Sequence, residues 1–249
     1  MAITIAVSGK GGSGKTTLAA LIIKELVAHN SGAVLAVDAD PNACLGLTLG
    51  VEGTGIVADL REQARSKEPS NTGMDRLSSF EYGLNGVIAE AKGFDLITMG
   101  RPEGPDCYCA ANNMMRKFLD KLGSQYAFVV LDNEAGMEHL SRRTTNNVDL
   151  LFVVAEPSPI GRVTVKRIVE LCASLPISIK QMGVAWNRSD QTDTVDGIAS
   201  LGCIPYDRAL LDASMQGKTV FELDTDNPAS MAVRAMLQTH LQLAGTLKS

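Results

Sequence analysis

The chain has few aromatic residues. Phe, Tyr and Trp make up 4% of its 249 residues, whereas hydrophobic residues together make up 45%. That balance suits a core of aliphatic parallel strands. Positive charge is scarce too, with 23 Lys and Arg against 28 Asp and Glu and a formal net charge of -5. No broad basic field results, which disfavours non-specific nucleic-acid binding, and no nucleic-acid partner is expected. No apolar run reaches the length of a membrane span, and the first residues lack a basic stretch followed by an apolar signal segment. The tail 231–249 carries only Arg234 and Lys248 as fixed cations, so it lacks the basic face of a membrane-surface helix. A cytoplasmic protein with no membrane partner is expected. The five cysteines (Cys44, Cys107, Cys109, Cys172, Cys203) are odd in number and scattered, and in a reducing compartment they do not form a disulfide framework. Linkers, low-complexity tracts and repeat periods are missing. A chain of this size buries roughly 70% of its unfolded surface, so residues 1–249 read as a single domain.

What is present is an alternation of short apolar runs and helical patterns. Strands are expected at 3–7, 33–37, 96–99, 127–131, 150–155 and 183–186. None shows polar alternation, so each is buried on both faces in a parallel sheet covered by helices. Helices are expected at 16–30, 110–122, 161–175 and 229–244. Pro157 and Pro159 should hold the chain extended before the third helix. Asp226-Asn227-Pro228 should cap the last one. The stretch 61–85, rich in charge, Ser and Gly, reads as a long excursion. The expected fold class is α/β, a three-layer sandwich with a mainly parallel central sheet and ligands at the C-terminal strand ends.

The first apolar run enters Gly9-Lys10-Gly11-Gly12-Ser13-Gly14-Lys15-Thr16-Thr17, and a helical pattern follows. This is the strand–loop–helix context of a phosphate-binding P-loop. Glycines let backbone N–H groups turn inward, and the helix N-terminus adds partial positive charge. Lys15 then reaches the β- and γ-phosphates, and the Thr16 hydroxyl is placed to ligate Mg²⁺. Further on, Phe128-Val129-Val130-Leu131 ends in Asp132, an apolar strand with a terminal carboxylate that would hold Mg²⁺ through water. Val34-Leu35-Ala36-Val37 ends in Asp38-Ala39-Asp40-Pro41-Asn42, a carboxylate pair facing the same crevice and also good turn chemistry.

Lys10, directly after the first glycine of the loop, is unusual. The pattern resembles the deviant Walker A loop of septum-site and plasmid-partition ATPases, the nitrogenase iron protein and metal-centre maturation ATPases. The resemblance implies a homodimer in which Lys10 crosses to the partner's nucleotide and stabilises charge on the transferred phosphoryl group. It implies that Asp40 orients or deprotonates the attacking water, with Asp38 serving the Mg²⁺ shell or the loop geometry. It implies that the Gly136 N–H meets the γ-phosphate. The strand ending in Asn187-Arg188 resembles the family's adenine-reading segment, and the stretch through Pro205 and Asp207 its adenine-flanking loop. An amide supplies both the donor and the acceptor that adenine needs. No Asn-Lys-x-Asp run is present, so ATP is preferred over GTP.

Cys107-Tyr108-Cys109 lies between a strand and an expected helix. In extended chain, residues i and i+2 point the same way, so both sulfurs can converge on one metal. A closed thiolate site wants four ligands, which a two-fold pair of chains would supply. Such a site suits Ni²⁺, Zn²⁺ or Cu(I). A redox dithiol or two packed cysteines are the other readings. Cys44, Cys172 and Cys203 read as small hydrophobes. Together with Asp-Asn-Glu-Ala-Gly-Met-Glu-His, these motifs resemble the CooC-type maturation ATPases. That resemblance implies ATP hydrolysis with Mg²⁺, nickel (or zinc) at Cys107 and Cys109, and delivery to a client apo-enzyme, carbon monoxide dehydrogenase or acetyl-CoA synthase. The alternative is an Fe–S carrier or electron-transfer ATPase resembling the nitrogenase iron protein. The roles of Glu134 and His139 stay open.

Overall fold

The computed structural model describes residues 2–51, 55–57, 83, 86–100, 122, 125–133 and 147–241. Its centre is an eight-stranded sheet in the order β3-β4-β2-β5-β1-β6-β7-β8. The strands are β1 (Ile3–Gly9), β2 (Val34–Ala39), β3 (Ala89–Ala91), β4 (Phe94–Thr98), β5 (Phe128–Asn133), β6 (Asn147–Ala155), β7 (Ser178–Asn187) and β8 (Ala199–Ile204). All neighbours pair in parallel except β3, which runs antiparallel to β4 at one edge. Among the described residues five α-helices accompany them: α1 (Lys15–Ala28), α2 (Leu45–Leu49), α3 (Pro159–Ser174), α4 (Arg208–Met215) and α5 (Pro228–His240).

The strands read as continuous apolar runs because both faces are covered. On one face Ile5, Val7, Val130, Phe152 and Val154 pack under α1 and α5. On the other, Ala6, Leu131, Val153 and Trp186 pack with Val165, Ile168 and Cys172 of α3. The α/β sandwich with a mainly parallel sheet is therefore as expected. The central helix α1 has almost no polar side, since the run from Leu18 to Leu26 is buried throughout, including Lys24 and Glu25. A helix apolar around its whole circumference belongs inside the molecule.

The structure corrects several expectations. Strands β3 and β8 and helices α2 and α4 join those foreseen. Pro159 does not prolong the extended chain but opens α3 behind the Ser158 cap, because proline's fixed φ suits a first helical turn. Asn227 does cap α5, with Pro228 in its first turn. The described part of the tail packs as core through Val233, Met236 and Leu237. No helix among the described residues is long and apolar enough to cross a membrane. The helix expected at 110–122 and most of the stretch 61–85 lie outside the described residues.

Candidate nucleotide site

The C-terminal ends of β1, β2, β5 and β7 gather polar residues beneath the glycine loop. The loop is pressed onto the sheet: a Cβ on Gly9 would stand 2.5 Å from the Val154 carbonyl oxygen. Gly12 and Gly14 take φ +78 and +95, open to glycine without strain. The Ser13 N–H donates to the Lys10 carbonyl at 3.1 Å and closes the turn. Gly14 is the N-cap of α1 and supplies no side-chain cap. Ser158, Asp207 and Asn227 do cap α3, α4 and α5. The first N–H groups of α1 thus keep their donors for an anion. Lys15 is buried at the first position of α1, with Nζ 3.5 Å from the Lys10 carbonyl. The Lys10 side chain is exposed, and Thr16 and Thr17 are half-buried.

Behind the loop stand two carboxylates. Register places Asp38 directly beside Asp132, and Asp132 beside Val7. Both are fully buried. Asp38 accepts the Leu45 N–H at 2.9 Å and the Asp40 N–H at 3.2 Å, so its job here is to shape the loop between β2 and α2. Burial pushes its carboxyl up to about 6, against the pull of those two N–H groups. Asp132 differs, since neither of its oxygens has a hydrogen-bond partner among the described residues. Burial pushes it up to about 7; the adjacent Thr16 hydroxyl favours the ionised form but falls short of hydrogen-bond geometry. A buried carboxylate with orphaned oxygens next to a hydroxyl is the donor set of a hard divalent cation such as Mg²⁺. Asp40 is half-buried, and its Oδ1 accepts from the Asn42 backbone N–H at 2.9 Å and Nδ2 at 2.8 Å. The turn chemistry is thus realised, and Oδ2 remains without a partner among the described residues.

Beside the loop opens a cavity of about 660 Å³. Gly14, Thr17, Asn187, Arg188, Pro205 and Asp207 line it together, although they are distant in sequence. Asn187 Nδ2 donates to the Ser13 carbonyl at 2.7 Å, and its Oδ1 accepts the Arg188 N–H at 3.0 Å. The amide is pinned to the glycine loop, keeping one hydrogen and one lone pair for a ligand. Arg188 takes φ +55 and pairs with Glu156 at 2.5 Å. Asp207 spends Oδ1 on the Leu210 N–H at 3.0 Å and Oδ2 on Asn227 Nδ2 at 2.6 Å. Its carboxylate is a structural device, and it faces the cavity from the wall it holds.

Three features escaped sequence reading. Cys44, expected to be a packed hydrophobe, is exposed and lines the cavity. Asn133 is fully buried; its Nδ2 donates to the Val7 carbonyl at 3.1 Å while Oδ1 has no partner among the described residues. Lys24 is buried. Cys107, Cys109, Glu134, Gly136 and His139 lie outside the described residues. Among the described residues, no group of three or more His, Cys, Asp or Glu side chains is placed to hold a metal ion by itself.

An uncapped helix N-terminus under a glycine loop, a buried lysine and a cation-ready carboxylate define a P-loop nucleotide-binding protein. Residues 4–221 match the CobQ/CobB/MinD/ParA nucleotide binding domain, and the chain belongs to that family of P-loop ATPases. It is 39% identical over 234 residues to an uncharacterized ATP-binding protein of Methanocaldococcus jannaschii, covering 90% of this chain and 92% of the relative. It is 30% identical over 242 residues to the carbon monoxide dehydrogenase accessory protein CooC of Rhodospirillum rubrum, covering 88% and 89%. The septum site-determining protein MinD from Pyrococcus horikoshii, solved with Mg-ADP, superposes over all of both chains with a TM-score of 0.70 at 19% identity. That likeness speaks to the fold alone.

Proposed function

We propose that the protein is a single-domain, Mg²⁺-dependent ATPase that acts as a nucleotide-linked homodimer and carries a soft metal ion, nickel or zinc, to a client apo-enzyme. The observation that carries the ATPase reading is Asp132, buried, unpartnered and beside Thr16 at the uncapped start of α1. Thr16 and Asp132 would hold Mg²⁺, which when bound offsets phosphate charge. Gly11, Gly12, Ser13, Gly14, Lys15 and Thr17 bind the phosphates, and Gly136 donates to the γ-phosphate. Asp40 directs the attacking water through Oδ2, and Lys10 reaches the partner's phosphates. Asn187 reads the base edge with its remaining hydrogen and lone pair, between walls formed by Arg188, Pro205 and Asp207.

The metal-delivery part rests on the Cys107-Tyr108-Cys109 element and on the 30% identity to a carbon monoxide dehydrogenase accessory protein. Cys107 and Cys109 from two chains make one four-thiolate site, and the client is carbon monoxide dehydrogenase or acetyl-CoA synthase. The test is metal stoichiometry alongside oligomeric mass, with and without a non-hydrolysable ATP analogue. One ion per dimer is expected with the analogue, lost in the Cys107→Ser/Cys109→Ser double variant. Retention of a tightly held ion by that variant defeats the delivery reading.

A further inference from the structure

Lys24 lies on α1, two and a half turns beyond the glycine loop, and is only 6% exposed. A lysine so placed needs acceptors for its three hydrogens. Nζ donates to the Leu223 carbonyl at 3.0 Å, to Ser230 Oγ at 3.2 Å and, more weakly, to the Asp224 carbonyl at 3.5 Å. Leu223 lines the cavity, as do Thr219 and Val220 just before it. From Ser230 the chain of bonds continues. The Ser230 N–H donates to Asn227 Oδ1 at 3.0 Å, and Asn227 Nδ2 to Asp207 Oδ2 at 2.6 Å. Asp207 Oδ1 then accepts the Leu210 N–H at 3.0 Å and caps α4, whose Leu210 and Leu211 also face the cavity. Ser230 and Asn227 are themselves buried, so the network is shielded from water.

We infer that Lys24 is a positioning residue for the nucleoside: through Leu223 on one side and Ser230, Asn227 and Asp207 on the other, it ties the cavity wall to the helix that begins at the phosphate loop. This rests on the reading that the cavity takes the nucleoside of ATP. The phosphate half is held independently, by the Ser13 N–H on the Lys10 carbonyl and Asn187 Nδ2 on the Ser13 carbonyl. Loss of Lys24 should therefore loosen grip on the base and ribose while sparing the phosphates.

The experiment compares Mg-ATP with Mg-tripolyphosphate, which lacks a nucleoside, by calorimetry on the full chain. Lys24→Met keeps the length of the stem and removes the donor, and Ser230→Ala cuts the second arm alone. Both should weaken ATP, Lys24→Met by about tenfold or more, and leave tripolyphosphate within about twofold. Unchanged ATP affinity, or equal loss for both ligands, overturns the inference; equal loss marks Lys24 as merely structural. If Lys24→Met does not fold, Ser230→Ala decides by the same criteria. If the wild-type chain binds ATP no better than tripolyphosphate, the nucleoside reading of the cavity fails, and the role of Lys24 with it.

Discussion

Burial disfavours the charge on Asp132. Its carboxyl is displaced upward from the usual 3.8 to about 7, so between those values the folded chain binds more protons than the unfolded one. Stability from this group is therefore full at low pH and declines as pH rises towards 7. Asp132→Asn should raise stability of the metal-free protein at pH 8 by on the order of 1–3 kcal/mol, with the difference closing towards pH 4. Urea unfolding in chelator at both pH values checks this; a wild type as stable as the variant at pH 8 contradicts it. The same variant should lose at least about 100-fold in ATP hydrolysis, the order found when one group stabilising the transition-state charge is removed. Cysteine chemistry divides by position. Cys44 is exposed on the cavity, although desolvation and the charges of Asp38, Asp40 and Asp132 raise its thiol, whereas burial pushes the inaccessible Cys172 thiol up to about 11. Peptide mapping after alkylation at pH 8 should find Cys44 modified and protected by Mg-ATP, with Cys172 intact.

Between elements, charge does different work inside and outside. Glu25 of α1 is 1% exposed and pairs with Arg234 of α5 at 2.8 Å, with His29 nearby at 3.7 Å. Arg234→Met strands that carboxylate between two core helices and should cost about 3–5 kcal/mol. The surface pair of Arg162 with Asp193, joining α3 to the loop before β8, should cost no more than about 1 kcal/mol when broken. Denaturant midpoints of Arg234→Met and Arg162→Met compare the two, and equal losses would count against the burial argument. Gly14 joins loop to helix: its φ of +95 and a Cβ position 2.3 Å from Asn187 Nδ2 leave no room for a side chain. Gly14→Ala should break the Asn187–Ser13 link and abolish tight ATP binding, measured by calorimetry.

At the scale of the whole molecule, the candidate nucleotide site lies at the C-terminal ends of the strands, and Lys10 is exposed beside it. On the proposed reading, Lys10 serves the nucleotide of a second copy of the chain. Lys10→Ala should therefore bind ATP within about threefold of wild type yet lose at least about 100-fold of the protein-concentration-dependent turnover, the range of an arginine finger. Light scattering with a non-hydrolysable analogue should show a dimer for the wild type and a monomer for the variant. Undiminished turnover removes the role in trans.

The strand runs, the glycine loop and Asp132 were legible in the chain because each is local: apolar runs buried on both faces, and a loop whose spacing carries its own chemistry. Strands β3 and β8 escaped because Ala-Glu-Ala and Ala-Ser-Leu-Gly-Cys-Ile are short or glycine-interrupted segments at the sheet edges, where pairing rather than hydrophobicity makes the strand. Helix α4 escaped because it buries none of its residues. Only the tertiary structure decided the cavity, the fate of Asp207's carboxylate and the place of Lys24. Its acceptor at Leu223 is 199 residues away. A lysine's sequence neighbours say that it should reach water; only the packing of α1 against α5 says that it cannot.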